Sequence, residues 1–547
     1  MDFNTYKDLL LSYLKNTEDY EKQDIENQNN LSDEEKEDLG YMIREAIVIN
    51  DDGKGNVELC PSKNLTKWRV GDKVRYASFP PNVITGTATI TDNFENCVCL
   101  TGMPSEASRF GKYSLTIVEP QMTGLFISTI NKMVDGGGGS FYIEELAGIE
   151  EAEKEFGCPI SCDTNITAHL NTKQQEAVIN VLKRPSLYAI QGPPGTGKTG
   201  VLSAIAKMYS DAGKKVLVIC NSHQAVNNAL NKISQYNIPT FKIGNEFKTV
   251  ALNDNVKKFS SLWEYTNFTK NLKSRKVRYQ KTTGDVVGMT LCGAILNLAL
   301  HKNAFTPSIV LIDEASQIPL CLGAAIGGLE GGTYVFIGDN CQMPPIFHEN
   351  MVADSMSISI FEHLQSILPR ELKTILTTTY RMNSTICSYV SKQFYEPYGI
   401  TLSSHASVAN NHIRGEDIVD SIEFINIDTN NCEDCNYEEA KEAVKQALKY
   451  KQLGLEVSII TPYRKQVNLV REELVKVGGV SSDILIDTVE RLQGQDVDVI
   501  VLTMSASDID YYKTQTSFLL NKNRLNVMIS RAKLKVIVIK SPIVLFM

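Results

Sequence analysis

The chain has 547 residues, 43% of them hydrophobic and 22% charged, with 64 acidic against 55 basic side chains and a formal net charge of −9. That length exceeds what one hydrophobic core serves, so about three to four structural units are expected, and the acidic balance excludes a generally basic coat for nucleic acid while allowing a local channel. No run of about 18 apolar residues occurs and Met1 to Tyr6 carries no basic-and-apolar signal pattern, so a soluble, intracellular and cytoplasmic protein is expected.

Residues 1–66 read as a helical stalk. Tyr6, Leu9, Leu10, Tyr13 and Leu14 form one apolar stripe, a charged stretch runs from Asp19 to Glu37, and Leu39, Met42 and Ile43 form a second stripe. From Trp68 to Val118 the period changes to two, with Val74, Tyr76, Thr87, Thr89, Cys97 and Cys99 between turn residues, which predicts a small antiparallel barrel over 67–120. Gly136 to Gly139 reads as a flexible joint and Phe141 to Phe156 as a helix within a linker, 121–165. Twelve cysteines are scattered mostly singly in apolar segments, as reduced core residues are. Cys158 with Cys162 and Cys432 with Cys435 are closer pairs whose separation is poor for one zinc site, and the sequence leaves metal binding there open.

From Leu170 onward, apolar strands alternate with helical stretches in two series, predicting two α/β lobes with parallel sheets over 166–365 and 366–547. A Lys-rich segment, Asn255 to Lys281, interrupts the first series as a candidate insertion. Its basic residues suit either a phosphate-contacting face or a solvated helix.

Gln191 to Thr199 reads Gln-Gly-Pro-Pro-Gly-Thr-Gly-Lys-Thr, after the apolar run Leu187 to Ile190 and before a helical stripe through Val201, Leu202, Ala204 and Ile205. Strand, Gly-rich loop and helix together predict a phosphate cradle over Gly192, Pro193, Pro194, Gly195, Thr196 and Gly197. Lys198 then faces the outer phosphates and the Thr199 hydroxyl is a Mg²⁺ ligand. Val310-Leu311-Ile312 ends on Asp313-Glu314, and acids at a strand's carboxyl end face the nucleotide crevice of such sheets. Asp313 is the expected second Mg²⁺ ligand and Glu314 the base that orients the attacking water. Gln342, in the loop after the next strand, is placed to sense the terminal phosphate.

The ordered motifs then become specific. The Leu170 to Gln174 entry, "LIDEASQ", "GDNCQMPP", "TTTYRMN" (Thr377 to Asn383), "ITPYRKQ" (Ile460 to Gln466), "DTVERLQGQDVDVIVLT" (Asp487 to Thr503) and "RLNVMISRAK" (Arg524 to Lys533) follow one another. In this the chain resembles superfamily 1 helicases of the group that includes the nonsense-mediated-decay RNA helicase, senataxin and the immunoglobulin mu-binding helicase.

The resemblance implies ATP and Mg²⁺ held between two RecA-like P-loop NTPase lobes, with the helical stalk and small β-barrel as accessory domain. Gln174 would read the adenine edge, Tyr380 would stack on the base, Gly494 and Asp496 would lie near the ribose, and Arg381 and Arg531 would act as arginine fingers. Ser222, His223, Thr290, Thr461, Pro462, Tyr463 and Thr488 would face a nucleic-acid strand. The chain departs from the group's pattern at Asp496, where Glu is usual, and at "CNSHQAVNNAL", where a Pro-Ser-Asn core is usual; His223 and Asn227 stand at the second departure.

The implied activity is a helicase or translocase moving 5′ to 3′ on single-stranded or tailed DNA or RNA, the two left undistinguished. A nucleic-acid-stimulated clamp or remodeller is the alternative. A P-loop kinase or GTPase is a third reading, against which the Arg381 and Arg531 motifs stand. No convincing acidic cluster with a lysine suggests a fused nuclease.

Overall fold

The computed structural model describes residues 2–545 except 67, 80–83, 95, 110, 119–120, 156–157, 246–247, 250, 275–282, 301–304, 480–483 and 490–495. The chain opens with a 28-residue helix, Phe3–Asn30, started by Asp2, whose carboxylate accepts the Thr5 N–H at 2.9 Å. Only its first half carries the buried stripe, Phe3, Tyr6, Leu10, Leu11, Tyr13 and Leu14. Its polar middle is held by Tyr20 stacking on His348 (4.8 Å between centroids) and by Asp24 beside the same imidazole at 3.1 Å.

The stalk ends sooner than expected. Met42–Asp51 and Asn56–Pro61 are strands, and with Lys73–Ser78, Thr85–Phe94, Cys97–Thr101 and Lys112–Ile117 they close a six-stranded antiparallel barrel. The boundary at 66 is therefore corrected to about 41. Leu39, Met42 and Ile43 do fall at helical spacing, but Leu39 is exposed, and the run Ile43 to Ile49 is rich in β-branched residues whose inward face (Ile43, Ala46) fills the barrel. The barrel docks on the first lobe through the Gly71-Asp72 turn, where Lys248 Nζ meets Asp72 Oδ1 at 2.9 Å and Asn245 donates to the Gly71 carbonyl at 3.1 Å.

The glycine run is a packed turn. Gly139 has φ 82°, and a Cβ there would lie 2.2 Å from the Gly327 carbonyl oxygen. The following helix is only Ser140–Leu146. It stops because Gly148 turns left-handed (φ 65°) and the Ile149 N–H closes back on the Glu144 carbonyl, so the expected helix to Phe156 does not form; Phe156 itself lies outside the described residues.

The first lobe is an eight-stranded parallel sheet. In spatial order its strands are Lys257–Phe259, Thr240–Ile243, Val286–Thr290, Val216–Cys220, Ile309–Asp313, Tyr334–Gly338, Leu187–Gln191 and Lys373–Ile375. Two boundaries shift. Lys373–Ile375 pairs with Ala189 to Gln191, so this lobe runs past 365 to Ile375. The segment from Asn255 is no separate insertion, since Lys257–Phe259 extends the sheet edge and helix Leu262–Ser274 covers it through Phe241, Phe259, Tyr265 and Phe268. Lys276 and its basic neighbours fall outside the described residues.

The second lobe is a five-stranded parallel sheet in the order Ile422–Asn426, Ala532–Lys540, Val497–Thr503, Val457–Ile460 and Leu485–Asp487. Along strand Ala532–Lys540, Val536 and Val538 join one core while Ile537 and Ile539 join the other, so both faces are covered. Among the described residues no helix is long and apolar enough to cross a membrane.

Candidate nucleotide cleft

The carboxyl end of the first sheet faces a cleft whose other wall is the second lobe, where Asp496 and Arg531 stand just before strands Val497–Thr503 and Ala532–Lys540. Gly195 (φ 72°) and Gly197 (φ 80°) bend the loop after Leu187–Gln191 so that helix Lys198–Asp211 begins beneath it. A Cβ on Gly195 would lie 2.5 Å from Thr379 Oγ1 and 2.6 Å from Arg381 Cβ, so only glycine lets the second lobe approach this closely. The Tyr380 N–H donates to the Gly195 carbonyl at 2.8 Å across that contact.

Within the loop, the Thr196 hydroxyl donates to the Pro193 carbonyl at 2.7 Å, the Lys198 ammonium donates to the Gly192 carbonyl, and Pro194 is buried. Thr199 stands half-buried in the first turn of the helix. Gln174 is committed at both ends: its Oε1 accepts the Asn171 N–H at 2.9 Å and its Nε2 donates to the Thr196 carbonyl at 2.9 Å. It therefore braces the phosphate loop in this arrangement.

Asp313 closes its strand in register with Cys220, and its carboxylate accepts the Glu314 N–H at 3.0 Å. Burial, then the neighbouring Glu314 carboxylate, push the Asp313 carboxyl upward, while Lys198 opposes them. A buried carboxyl so disfavoured as an anion is the kind of group that a divalent cation relieves. Glu314 sits in left-handed backbone (φ 54°) and its Oε2 accepts from Gln317 at 3.3 Å.

Two guanidinium groups of the second lobe complete the cleft. Arg381 donates to the Ser530 carbonyl at 2.9 Å and pairs with Asp496 Oδ1 at 2.6 Å; Arg531 lies 3.9 Å from the same oxygen. Burial, then Arg381, push Arg531 down to about 10, with Asp496 and Glu314 opposing. It stays a cation at neutral pH. The Nε atoms of both arginines are buried without a partner among the described residues, an arrangement that a phosphate would satisfy. Asp496 thus serves as counter-ion to the arginine pair; Gly494 lies outside the described residues.

Tyr380 stacks on His405 at 4.6 Å and 29°, and its hydroxyl accepts from Asn171 at 2.9 Å. His405 carries no signal in the sequence, being a lone His in a Ser-rich loop, and Asn171, within the Leu170 to Gln174 segment, has no role assigned to it. Gln342 is buried, with its Nε2 donating to Asp339 Oδ2 at 2.6 Å.

The candidate strand contacts divide. Ser222 is exposed but caps helix His223–Ser234 through the Ala225 N–H at 3.2 Å, and Thr290 accepts the Gly293 N–H at 3.2 Å at the start of the next helix. His223 is half-buried, its Nδ1 without a partner among the described residues; burial, then Lys242 and Lys248, push it down to about 4. Tyr463 is half-buried, packed on Phe518 at 5.5 Å. Thr461, Pro462 and Thr488 are buried, with Thr461 facing Ser505 at 3.5 Å and the Thr488 N–H on Asp487 Oδ1 at 2.8 Å. These three side chains are turned inward, with Ser505 of the loop after Val497–Thr503 against Thr461. The cysteine pairs do not assemble: no group of three or more candidate metal ligands occurs among the described residues.

Two families described as AAA domain match, one over residues 169–283 and the other over 356–542. The chain is 27% identical over 383 residues to the DNA replication ATP-dependent helicase/nuclease DNA2 of Gallus gallus, covering 69% of this chain and 36% of that protein. It is 31% identical over 386 residues to the Schizosaccharomyces pombe protein of the same description, covering 64% and 26%. The chain thus spans about a third of the length of the curated relatives it matches. The arterivirus nonstructural protein 10 helicase solved with DNA aligns over 88% of this chain and 78% of that one at 12% identity and TM-score 0.43. With both AAA domains matched in order on two parallel α/β lobes, this chain carries the superfamily 1 helicase module.

Proposed function

We propose that this chain is an ATP-dependent nucleic-acid helicase, travelling 5′ to 3′ on a single strand of DNA or RNA, and that within its superfamily it belongs with the nonsense-mediated-decay RNA helicase, senataxin and the immunoglobulin mu-binding helicase. The observation that carries the reading is the meeting of two lobes at one cleft: Arg381 and Arg531 of the second lobe, their Nε atoms unpartnered, beside Lys198, Asp313 and Glu314 of the first. Charge stabilisation and positioning supply most of the catalysis in phosphoryl transfer, so arginines from a second body make turnover depend on closure.

In this reading Gly192 to Gly197 and Lys198 bind the phosphates, and Thr199 and Asp313 hold Mg²⁺, which neutralises charge on the phosphate oxygens. Glu314 orients the water, Gln342 faces the terminal phosphate, and Arg381 and Arg531 leave Asp496 for the transferring group. Tyr380, backed by His405, is the platform for the base, and Gln174 reads the adenine edge. Ser222, His223, Thr290 and Tyr463 offer the strand partly exposed contacts, with Thr461, Pro462 and Thr488 shaping the crest beneath.

The test is steady-state ATP hydrolysis with matched single-stranded DNA and RNA, followed by displacement on duplexes with 5′ or 3′ tails. Stimulation by a strand together with unwinding from a 5′ tail is expected. Stimulation without displacement selects the clamp reading, and no stimulation by any strand removes both.

A further inference from the structure

The loop after Tyr334–Gly338 carries a buried carboxylate that the chemistry above leaves unused. Asp339 is 2% exposed. Its Oδ1 accepts from Gln191 Nε2 at 2.6 Å and from the Cys341 N–H at 3.2 Å; its Oδ2 accepts from Gln342 Nε2 at 2.6 Å and from the Tyr395 hydroxyl at 2.6 Å. Three of these donors belong to the first lobe. Tyr395 belongs to the second, where it ends the π-helical turn Ser391–Tyr395, a wide geometry that recurs at functional sites.

The contact continues into the arginine-bearing element. Asn526 Nδ2 donates to the Tyr395 hydroxyl at 2.9 Å and to the Cys341 carbonyl at 2.6 Å. Asn526 lies in helix Lys522–Ile529, which leads directly into Ser530 and Arg531. Its Oδ1 is buried without a partner among the described residues, as is that of Asn340, so the network holds acceptors that a shift of the helix could engage.

Gln342 has one amide Nε2 group, and it is held by Asp339. That bond uses one of the amide's two N–H donors, and swinging the side chain to aim the amide at a terminal phosphate lengthens or breaks it. A buried charge that loses a donor draws more strongly on those remaining, and the remaining donor to Oδ2 is the Tyr395 hydroxyl. We propose that Tyr395 is a positioning residue whose hydroxyl ties the second lobe to Asp339, so that departure of Gln342 toward nucleotide draws the helix bearing Asn526 inward and seats Arg531. The inference rests on the helicase reading and on Gln342 facing the phosphate.

The test uses the full chain, with ATP turnover measured against single-stranded oligonucleotide concentration. Tyr395→Phe, which deletes one oxygen and keeps the ring, should lower strand-stimulated kcat by about 10-fold or more while KM for ATP changes less than about 3-fold. Asp339→Asn should act in the same direction. The double variant should be no slower than the worse single, because both break one link. A purely structural role predicts a lower melting temperature with kcat retained, and that result overturns the proposal, as do multiplicative losses in the double variant. Asn526→Ala is the second probe: full stimulated turnover there would also overturn it. A parent that no strand stimulates sinks the functional reading and this inference together, whereas a stimulated parent with an unimpaired Tyr395→Phe sinks the inference alone.

Discussion

At the scale of single residues, the cleft separates binding from turnover. Among the described residues Glu314 makes no hydrogen bond to the phosphate loop, so Glu314→Gln should retain nucleotide while losing hydrolysis, and Arg531→Ala should cut turnover by about 10³-fold with smaller effect on affinity. Single-turnover hydrolysis beside equilibrium nucleotide binding checks both, and parental turnover in Glu314→Gln would discard the assignment. The phosphate loop and the strand-end acids can be read from spacing within a local element, whereas Arg381 and Arg531 come only with the family resemblance. Asp496 as arginine counter-ion was not legible, since its partners lie 115 and 35 positions away along the chain. His223 supplies a second prediction. Its folded value near 4 lies below the usual 6.5, with Lys242 and Lys248 facing it. A depressed histidine favours the native state while both states are neutral, and that contribution is lost as pH falls from 6.5 toward 4. Between pH 7 and pH 5 the loss should be about 1–2 kcal/mol after discounting for partial solvent access. Urea unfolding of the parent and of His223→Asn at the two pH values reads it directly. Equal pH dependence of the two proteins would remove His223 as the cause.

At the scale of elements, apolar runs identify the five strands of the second sheet and five of the first, since buried parallel strands such as Val216–Cys220 and Ile309–Asp313 are continuous apolar runs; the short strands Thr240–Ile243, Lys257–Phe259 and Lys373–Ile375 carry too little of that signal. Period was ambiguous where residues three apart could serve either geometry, which is why Met42 and Ile43 were assigned to a helix and two barrel strands were lost to the stalk. Glycine function was equally undecided by composition: four in a row suggests freedom, yet Gly139 is fixed by what it touches. A substituent there meets the Gly327 carbonyl at 2.2 Å and forces a side chain into left-handed backbone. Gly139→Ala should therefore destabilise the first lobe by about 2–4 kcal/mol, the sum of left-handed strain and overpacking. Gly136→Ala, which meets nothing within 4 Å, should show only the strain of its φ of 67°. Chemical denaturation of the two variants beside the parent makes the comparison, and equal losses would return the run to the role of a loose joint.

At the scale of the whole molecule, the negative balance and the crest geometry bear on how a strand is gripped. The basic residues Lys257 and Lys258 stand on the edge strand of the first sheet, six strand positions from Leu187–Gln191, or about 29 Å at ordinary strand spacing. Along the strand ends between them, the described groups open to phosphates include helix N-termini and side chains such as Ser222 and Thr290, while Lys248 is paired with Asp72. Grip by amides and hydroxyls displaces few counter-ions, so affinity for a single strand should depend weakly on salt. For two to four neutralised phosphates the slope of log K against log salt is about −1.5 to −3, a loss of roughly 10- to 60-fold between 50 and 200 mM. Fluorescence anisotropy of a labelled oligonucleotide across that range measures the slope. A value steeper than about −5 would require a continuous basic channel, and the strand would then have to run over the Lys-rich edge instead of the crest that the sheet ends form.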